Sequence, residues 1–287
     1  MTRTIFVTGA TGNVGRPLVE HLVGADIDVI AGVRSRDDID SLPAGVKARK
    51  LDFEEPSTWP GAFEDVDGLF IVRPPPISNV RETINPSIER ALASGVDHVV
   101  TLSLLGAEKN PVVPHRKIET YVESTGVRYT HLRPSFFMQN LSTTHRDEIR
   151  DEGRIIVPAG AGETSFVDCR DIAEVAALSL LNPEEHANRA HDITGSCALS
   201  YHEVAAVFTD VLGREIRYDE PSVLEFYRYR RSKGEPLGFL MVTTALYTVA
   251  RLGLADTVTD DFERLTGHEP RSLEDFVRDY REVWETS

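Results

Sequence analysis

Short β-branched runs alternate with segments of helical period through the first half of the chain, which predicts βαβ units and a parallel sheet covered on both faces. The expected strands are Thr4–Thr8, Asp28–Val33, Val46–Leu51, Gly68–Val72, His98–Ser103 and Arg128–Leu132. Between the first two, Val14, Leu18, Val19, Leu22 and Val23 recur at helical spacing and give one apolar face to lie on the sheet. Pro17 falls in the first turn of that helix, where a missing N–H costs little. Further helices are expected over Asn85–Ser94, over His115–Ser124 ending at Gly126, and over Ile172–Leu181, the last started by an Asp171/Glu174 capping box. From about Phe136 onward the alternation lapses. Helical pieces (201–212, 222–232, 237–252, 272–284) then mix with isolated strands near 154–157, 165–168, 190–194 and 215–218. The expected class is α/β: a doubly wound parallel sheet with a smaller, mainly helical C-terminal cap. Residues 1–135 would form the core, with strands and a helix from 154–195, and residues 136–153 and 196–287 would form the cap.

The 287 residues suffice for about two domains, or one domain with a substantial extension. Apolar residues make up 41% and charged residues 27%, the balance of an ordinary globular protein. With 31 basic against 46 acidic residues, the formal charge is −15, which repels phosphate backbones and anionic lipid. No Lys/Arg run offsets it, so nucleic acid is not an expected partner. The longest apolar stretch, Leu237 to Ala250, contains three threonines, stops at Arg251 and falls short of the ~20 residues of a membrane span. The opening residues show no apolar signal region before a small-residue cleavage site. Two cysteines, Cys169 and Cys197, make no disulfide framework, which suits a reducing cytoplasm. The nine histidines follow no metal-ligand spacing, and no metal is expected. The expected partner is a small molecule, bound by a monomer or homodimer.

The first strand runs directly into Thr8-Gly9-Ala10-Thr11-Gly12-Asn13-Val14-Gly15 and then a helix. A nucleotide pyrophosphate needs this arrangement: glycines let the backbone approach, and the helix start offers N–H groups and positive potential. Thr8, Gly9, Thr11, Gly12, Asn13, Val14 and Gly15 are thus candidate cofactor contacts. A site for NAD would place a carboxylate at the end of the second strand, on the ribose 2′-hydroxyl; that strand ends Gly32-Val33-Arg34-Ser35-Arg36. A guanidinium binds a 2′-phosphate that a carboxylate would repel, so NADPH is expected over NADH. Arg34 lies closer to the strand end than Arg36, although Asp37 and Asp38 follow. Asp52 can meet an adenine amino group or serve as a turn residue. Arg73, after the fourth strand, is a further candidate cofactor contact.

The Thr8–Gly15 turn, Arg34, Ser103, His115-Arg-Lys-Ile-Glu119, the stretch Tyr129 to Asn140 and Phe166-Val-Asp-Cys-Arg-Asp171 together resemble the NmrA-like, atypical branch of the short-chain dehydrogenase/reductase superfamily. The resemblance covers roughly the first 175 residues. It implies a Rossmann-like sheet and a cofactor across its carboxyl edge, with nicotinamide near Ser103 and the Pro134–Phe137 turn, so that Pro134, Phe136 and Phe137 join the cofactor contacts. The sequence departs from the superfamily at its Tyr-x-x-x-Lys motif: His115 stands at the lysine position and Pro111 at the tyrosine position, and Tyr121 lies two helical turns away. Hydride transfer still needs only an oriented nicotinamide. His115 can bond the ribose or relay a proton, or be satisfied locally, and Ser103 can bond a substrate oxygen or form a turn. Water or an acidic substrate hydroxyl is the other proton source.

Phe136, Met138 and Asn140 are candidate substrate contacts at the end of the sixth strand, with core packing as the competing role for the apolar ones. The cap adds Phe226, Tyr227, Tyr229, Phe239, Met241 and Tyr247, most of them expected to be core. The reading is an NADPH-dependent oxidoreductase, a ketoreductase or quinone reductase of an apolar, aromatic carbonyl compound. The alternative is a non-catalytic NAD(P)-binding redox sensor.

Overall fold

The computed structural model describes residues 2–35 and 37–285. Along the chain run β1 (Arg3–Thr8), α1 (Gly15–Val23), β2 (Ile27–Val33), β3 (Lys47–Lys50), α2 (Trp59–Ala62), β4 (Gly68–Val72), α3 (Ile84–Ala93), β5 (His98–Leu102), α4 (Pro114–Thr125) and β6 (Arg128–Pro134). The short β7 (Phe136–Phe137), α5 (Gln139–Ser142), β8 (Arg154–Ile155) and β9 (Glu163–Val167) follow, then α6 (Cys169–Leu181), α7 (Pro183–His186) and β10 (Arg189–Ile193). The last elements are β11 (Ala198–Ser200), α8 (Tyr201–Leu212), β12 (Arg217–Tyr218), α9 (Val223–Ser232), α10 (Leu237–Arg251), α11 (Asp261–Thr266) and α12 (Leu273–Asp279). Among the described residues no helix is long and apolar enough to cross a membrane.

Seven parallel strands form the main sheet in the order β10-β6-β5-β4-β1-β2-β3. Its central strands are apolar on both faces: Ile5, Phe6 and Val7 of β1, Leu69, Phe70 and Ile71 of β4, and Val99 and Val100 of β5 are all buried. That is the signature of strands covered by helices on either side. The helices supply matching stripes, with Leu18, Val19 and Leu22 on α1, Ile84, Ile88 and Ala91 on α3, and Ile118 and Val122 on α4. From β1 the chain builds outward to β3, then returns to place β4 on β1's other side, so the winding direction reverses between β1 and β4. In such sheets ligands bind at the carboxyl edge beside that reversal.

The sheet and its helices form one compact unit, Met1–Pro134 with Cys169–Ile193; Ser135–Asp168 with Thr194–Ser287 form a second. The second has its own core, in which Tyr201, Phe208, Phe226, Phe276 and Trp284 are almost wholly enclosed. Capping boxes open α8 and α9: Ser200 and Ser222 each accept from the N–H three residues on, and Glu203 and Glu225 reach back.

Two expectations are corrected. The stretch 154–168, assigned above to the core, lies in the second unit, because β9 pairs with β11 and β7, and β8 with β12, rather than with the main sheet. Helix α6 starts at Cys169, so Asp171 sits buried within its first turn instead of capping it, and Asp168 occupies the position before the helix. A capping box is a local pattern, and one helical turn further back the sequence offers an equally suitable carboxylate.

Candidate active site

Except for His115, in the first turn of α4, the candidate residues in the first unit sit at or just beyond the carboxyl ends of the strands. Thr8 ends β1, Arg34 follows β2, Arg73 follows β4, Ser103 follows β5 and Pro134 ends β6. Parallel register brings these ends to one edge, which the sequence could indicate only through the strand assignments.

The glycine turn closes on the Gly12 N–H to Gly9 carbonyl bond, 2.9 Å, with Gly9 at φ +60°. Thr8 Oγ1 accepts from the Val72 N–H at 2.8 Å and ties the turn to β4. A Cβ at Gly15 would lie 2.0 Å from the Gly9 carbonyl oxygen and 2.9 Å from Ala10 Cα, an approach only glycine permits. Helix α1 then begins with no side-chain cap and no acidic residue in its first turn. Its positive end and unpartnered N–H groups are left for an anion.

Arg34 is exposed and makes no hydrogen bond or ion pair with any described residue. The carboxylate that follows it is already engaged: Asp38 Oδ2 accepts from the Ser35 N–H at 3.0 Å and from the Ser35 hydroxyl at 3.4 Å. The Arg36 position lies outside the described residues. Asp52 takes the turn role, accepting the Glu54 N–H at 2.9 Å.

Arg73 is also committed. Its Nη1 donates to the carbonyls of Pro74, Pro75 and Ile77 at 2.9–3.0 Å, so it organises the loop after β4 rather than standing open to an anion. Its Nε donates a long, 3.5 Å hydrogen bond to His115 Nε2. The His115 proton therefore sits on Nδ1, which is buried and has no partner. Burial and the Arg73 charge push the imidazole down to about 4. Of the roles expected for His115, this disfavours the proton relay: at pH 7 it is a neutral group presenting one unused N–H.

Ser103 is buried, its N–H bonded to the Leu132 carbonyl at 2.7 Å, and its hydroxyl faces Glu119 without closing a well-aligned hydrogen bond. Sequence reasoning gave Glu119 no role of its own. Its side chain is wholly buried, with Arg133 Nε and Nη2 on its two oxygens at 2.9 Å each and Arg116 Nη1 at 3.0 Å. Burial alone would raise this carboxyl; the Arg133 fork, Ser103 and His131 outweigh it and hold it down to about 2. The Leu-Arg-Pro end of β6 was the available signal, since an arginine between apolar residues at a strand end calls for a carboxylate partner.

In the second unit, Phe136 and Phe137 form β7 and are half-buried, as is Asn140, whose carbonyl accepts the His145 N–H at 3.0 Å. Met138 is 2% exposed within the apolar core of that unit, so it is a packing residue and not an open contact. Phe226 and Tyr247 are buried likewise, whereas Tyr227, Phe239 and Met241 are exposed.

A parallel sheet that reverses its winding beside a glycine turn, with an uncapped helix behind that turn, defines a Rossmann-like nucleotide-binding fold of the short-chain dehydrogenase/reductase type. The chain belongs to the NmrA-like family, whose model matches residues 1–274. It is 33% identical to the NAD(P)H azoreductase of Xenophilus azovorans over 281 residues, 96% of each chain. It is 32% identical to agroclavine dehydrogenase of Claviceps fusiformis over 294 aligned positions, 98% of each. Among solved structures, the Citrobacter sp. triphenylmethane reductase complexed with NADP(H) superposes with a TM-score of 0.83 at 26% identity, covering 96% of this chain and 99% of that one.

Proposed function

We propose that the protein is an NADPH-dependent reductase of apolar, conjugated acceptors, quinones and aromatic carbonyl compounds foremost. The observation that carries this reading is the pairing of an uncapped, acid-free helix start behind the Gly9–Gly15 turn with the uncommitted Arg34 beyond β2. The relatives support a reductase: similar proteins are named NAD(P)H azoreductase and triphenylmethane reductase.

The residues present fit the cofactor. Thr11 to Gly15 would take the pyrophosphate, Arg34 the 2′-phosphate, and the unused His115 Nδ1–H a ribose oxygen. When bound, the reduced nicotinamide supplies hydride. The chain's part is to hold and orient. Ser103 would bond the acceptor oxygen, and Phe136, Phe137 and Asn140 are proposed to contact substrate. Pro111 stands exposed where a tyrosine acid would be, and His115 is neutral, so the proton comes from water or from the acceptor's own hydroxyl. Acceptors whose reduced form is itself acidic, such as hydroquinones, suit a site of this kind.

Stopped-flow absorbance of NADPH, mixed with quinones, aromatic ketones and azo compounds, tests the proposal. Oxidation with at least one acceptor class is expected, and none with any would overturn it in favour of the sensor reading, which rests on the same Pro111. Arg34→Ser should weaken NADPH binding about 10- to 100-fold, the worth of a charge-assisted contact. NADH binding should hardly change, and equal losses for the two cofactors would show that Arg34 does not read the 2′-phosphate.

A further inference from the structure

Helix α10 is apolar on the wrong side as well as the right one. Its inner face is complete: Leu240, Thr243, Tyr247 and Ala250 are buried in the second unit. Two constraints stop the helix from rolling. The Tyr247 hydroxyl is bonded to His145 Nε2 at 2.5 Å, and His145 is held in turn by Glu148 at 3.0 Å, a carboxylate that also pairs with Arg230 at 2.8 Å. At its last turn, a Cβ on Gly162 would lie 2.0 Å from the Ala250 carbonyl, so the backbones there are in direct contact.

The outer face is therefore fixed toward solvent, and it carries Leu237, Met241, Val242, Leu246, Val249 and Leu252, exposed by 40–67%. No charged residue occurs from Leu237 to Ala250. Surface helices ordinarily carry charge on this side. Phe239 and Leu254 extend the patch. At ~200 Å² per large side chain, the exposed fractions leave roughly 800 Å² of apolar surface in water. An interface needs about 500 Å² from each partner, and a monomer seldom leaves so large a patch uncovered.

We propose that this face is the homodimer interface, with α10 of one copy lying antiparallel on α10 of the other about a two-fold axis. A self-complementary apolar patch meets itself under such symmetry, and one patch on each copy supplies all the area required. Charge favours the same occupant. Each copy carries −15, so copies repel over most of their surface, and this helix, with no charge before Arg251 at its last position, is where they approach at least cost. An antiparallel pair also sets the positive end of each helix beside the negative end of the other.

Sedimentation velocity on the full chain, over a wide concentration range, should give about 64 kDa, twice the chain's 31.9 kDa. The double variant Val242→Glu/Leu246→Glu places two unpartnered carboxylates in the interface and should raise the dimer dissociation constant about 100-fold or more. Both side chains are exposed in the single chain, so its circular dichroism should match that of the parent, and its melting temperature should fall only by what association contributes, losing the parent's concentration dependence. Val112→Glu, 73% exposed in the other unit, serves as the control and should leave the mass unchanged. A parent that stays at the monomer mass throughout, or a dimer that the double variant does not split, overturns the assignment. So does a monomer that floats with zwitterionic vesicles, which would give the face to a lipid surface.

Discussion

Gly15→Ala is expected to abolish NADPH binding. The added methyl would sit 2.0 Å from the Gly9 carbonyl oxygen and 2.7 Å from its carbon, and both are backbone atoms that cannot swing aside. Either α1 backs away from β1 or the turn opens, and each movement takes the helix N-terminus off the position proposed for the pyrophosphate. Overpacking of this kind costs about 1–3 kcal/mol in ordinary cores and more where backbone meets backbone. Titration calorimetry should show an affinity loss of about 100-fold or greater. Gly12→Ala is the graded comparison. Its Cβ would stand 3.2 Å from the same oxygen, a contact relieved by a few tenths of an ångström, so it should fold normally and bind more weakly than the parent but measurably. Equal losses for the two variants would mean that the turn acts through its sequence and not through this approach.

The contrast between those glycines marks what the sequence could and could not reveal. The strands were legible because β-branched runs on both faces leave few alternatives: β4 is found at the expected Gly68–Val72, and β1, β2, β3, β5 and β6 begin within one residue of expectation. Helices α8, α9 and α10 were similarly plain, each with a regular stripe or a capping box. Elements of two or three residues such as β7 and β11 were poorly legible because their existence depends on partners far along the chain, although β12 fell within the strand expected near 215–218. The six-residue helix α11 is too short to display a period. At the site, the glycine turn announced itself, since glycine spacing is a local property. The state of Arg73 was not legible. An arginine after a strand looks the same whether it faces solvent or, as here, closes a loop over three carbonyls. Met138 was ambiguous for the same reason, an apolar residue being equally at home in a core and in a pocket.

Acid should unfold this protein earlier than its carboxylates alone would dictate. Three histidines of the first unit are held neutral. His98 is wholly buried on β5, its Nε2 donating to Thr130 Oγ1 at 3.0 Å because that hydroxyl gives its own proton to the His186 carbonyl. Its Nδ1 faces no acceptor, so a second proton there would be an unpartnered charge. Burial, reinforced by the Arg3 charge, pushes it down to about 4. His131, with Nδ1 on Thr101 Oγ1 at 2.7 Å, is pushed to about 4 by burial, as is His115. Below the ordinary 6.5 the unfolded chain binds protons that the folded chain refuses. Each group's contribution is therefore whole above pH 6.5 and is lost as pH falls to about 4. At 1.36 kcal/mol per unit, each fully buried histidine withdraws at most about 3 kcal/mol, and the half-buried His115 less. Glu119 adds a second stage: held near 2 against an ordinary 4.5, its stabilisation is present above 4.5 and disappears between there and 2. Against a typical total of about 5–15 kcal/mol, the first stage alone is large. Denaturant midpoints should fall steeply from pH 7 to pH 4.5, and His98→Gln, which removes one titrating group, should flatten that fall by about 2–3 kcal/mol. A midpoint unchanged between pH 7 and pH 5 would show that these histidines are protonated in the folded chain, and that the neutral His115 on which the proposed ribose contact depends is wrong with them.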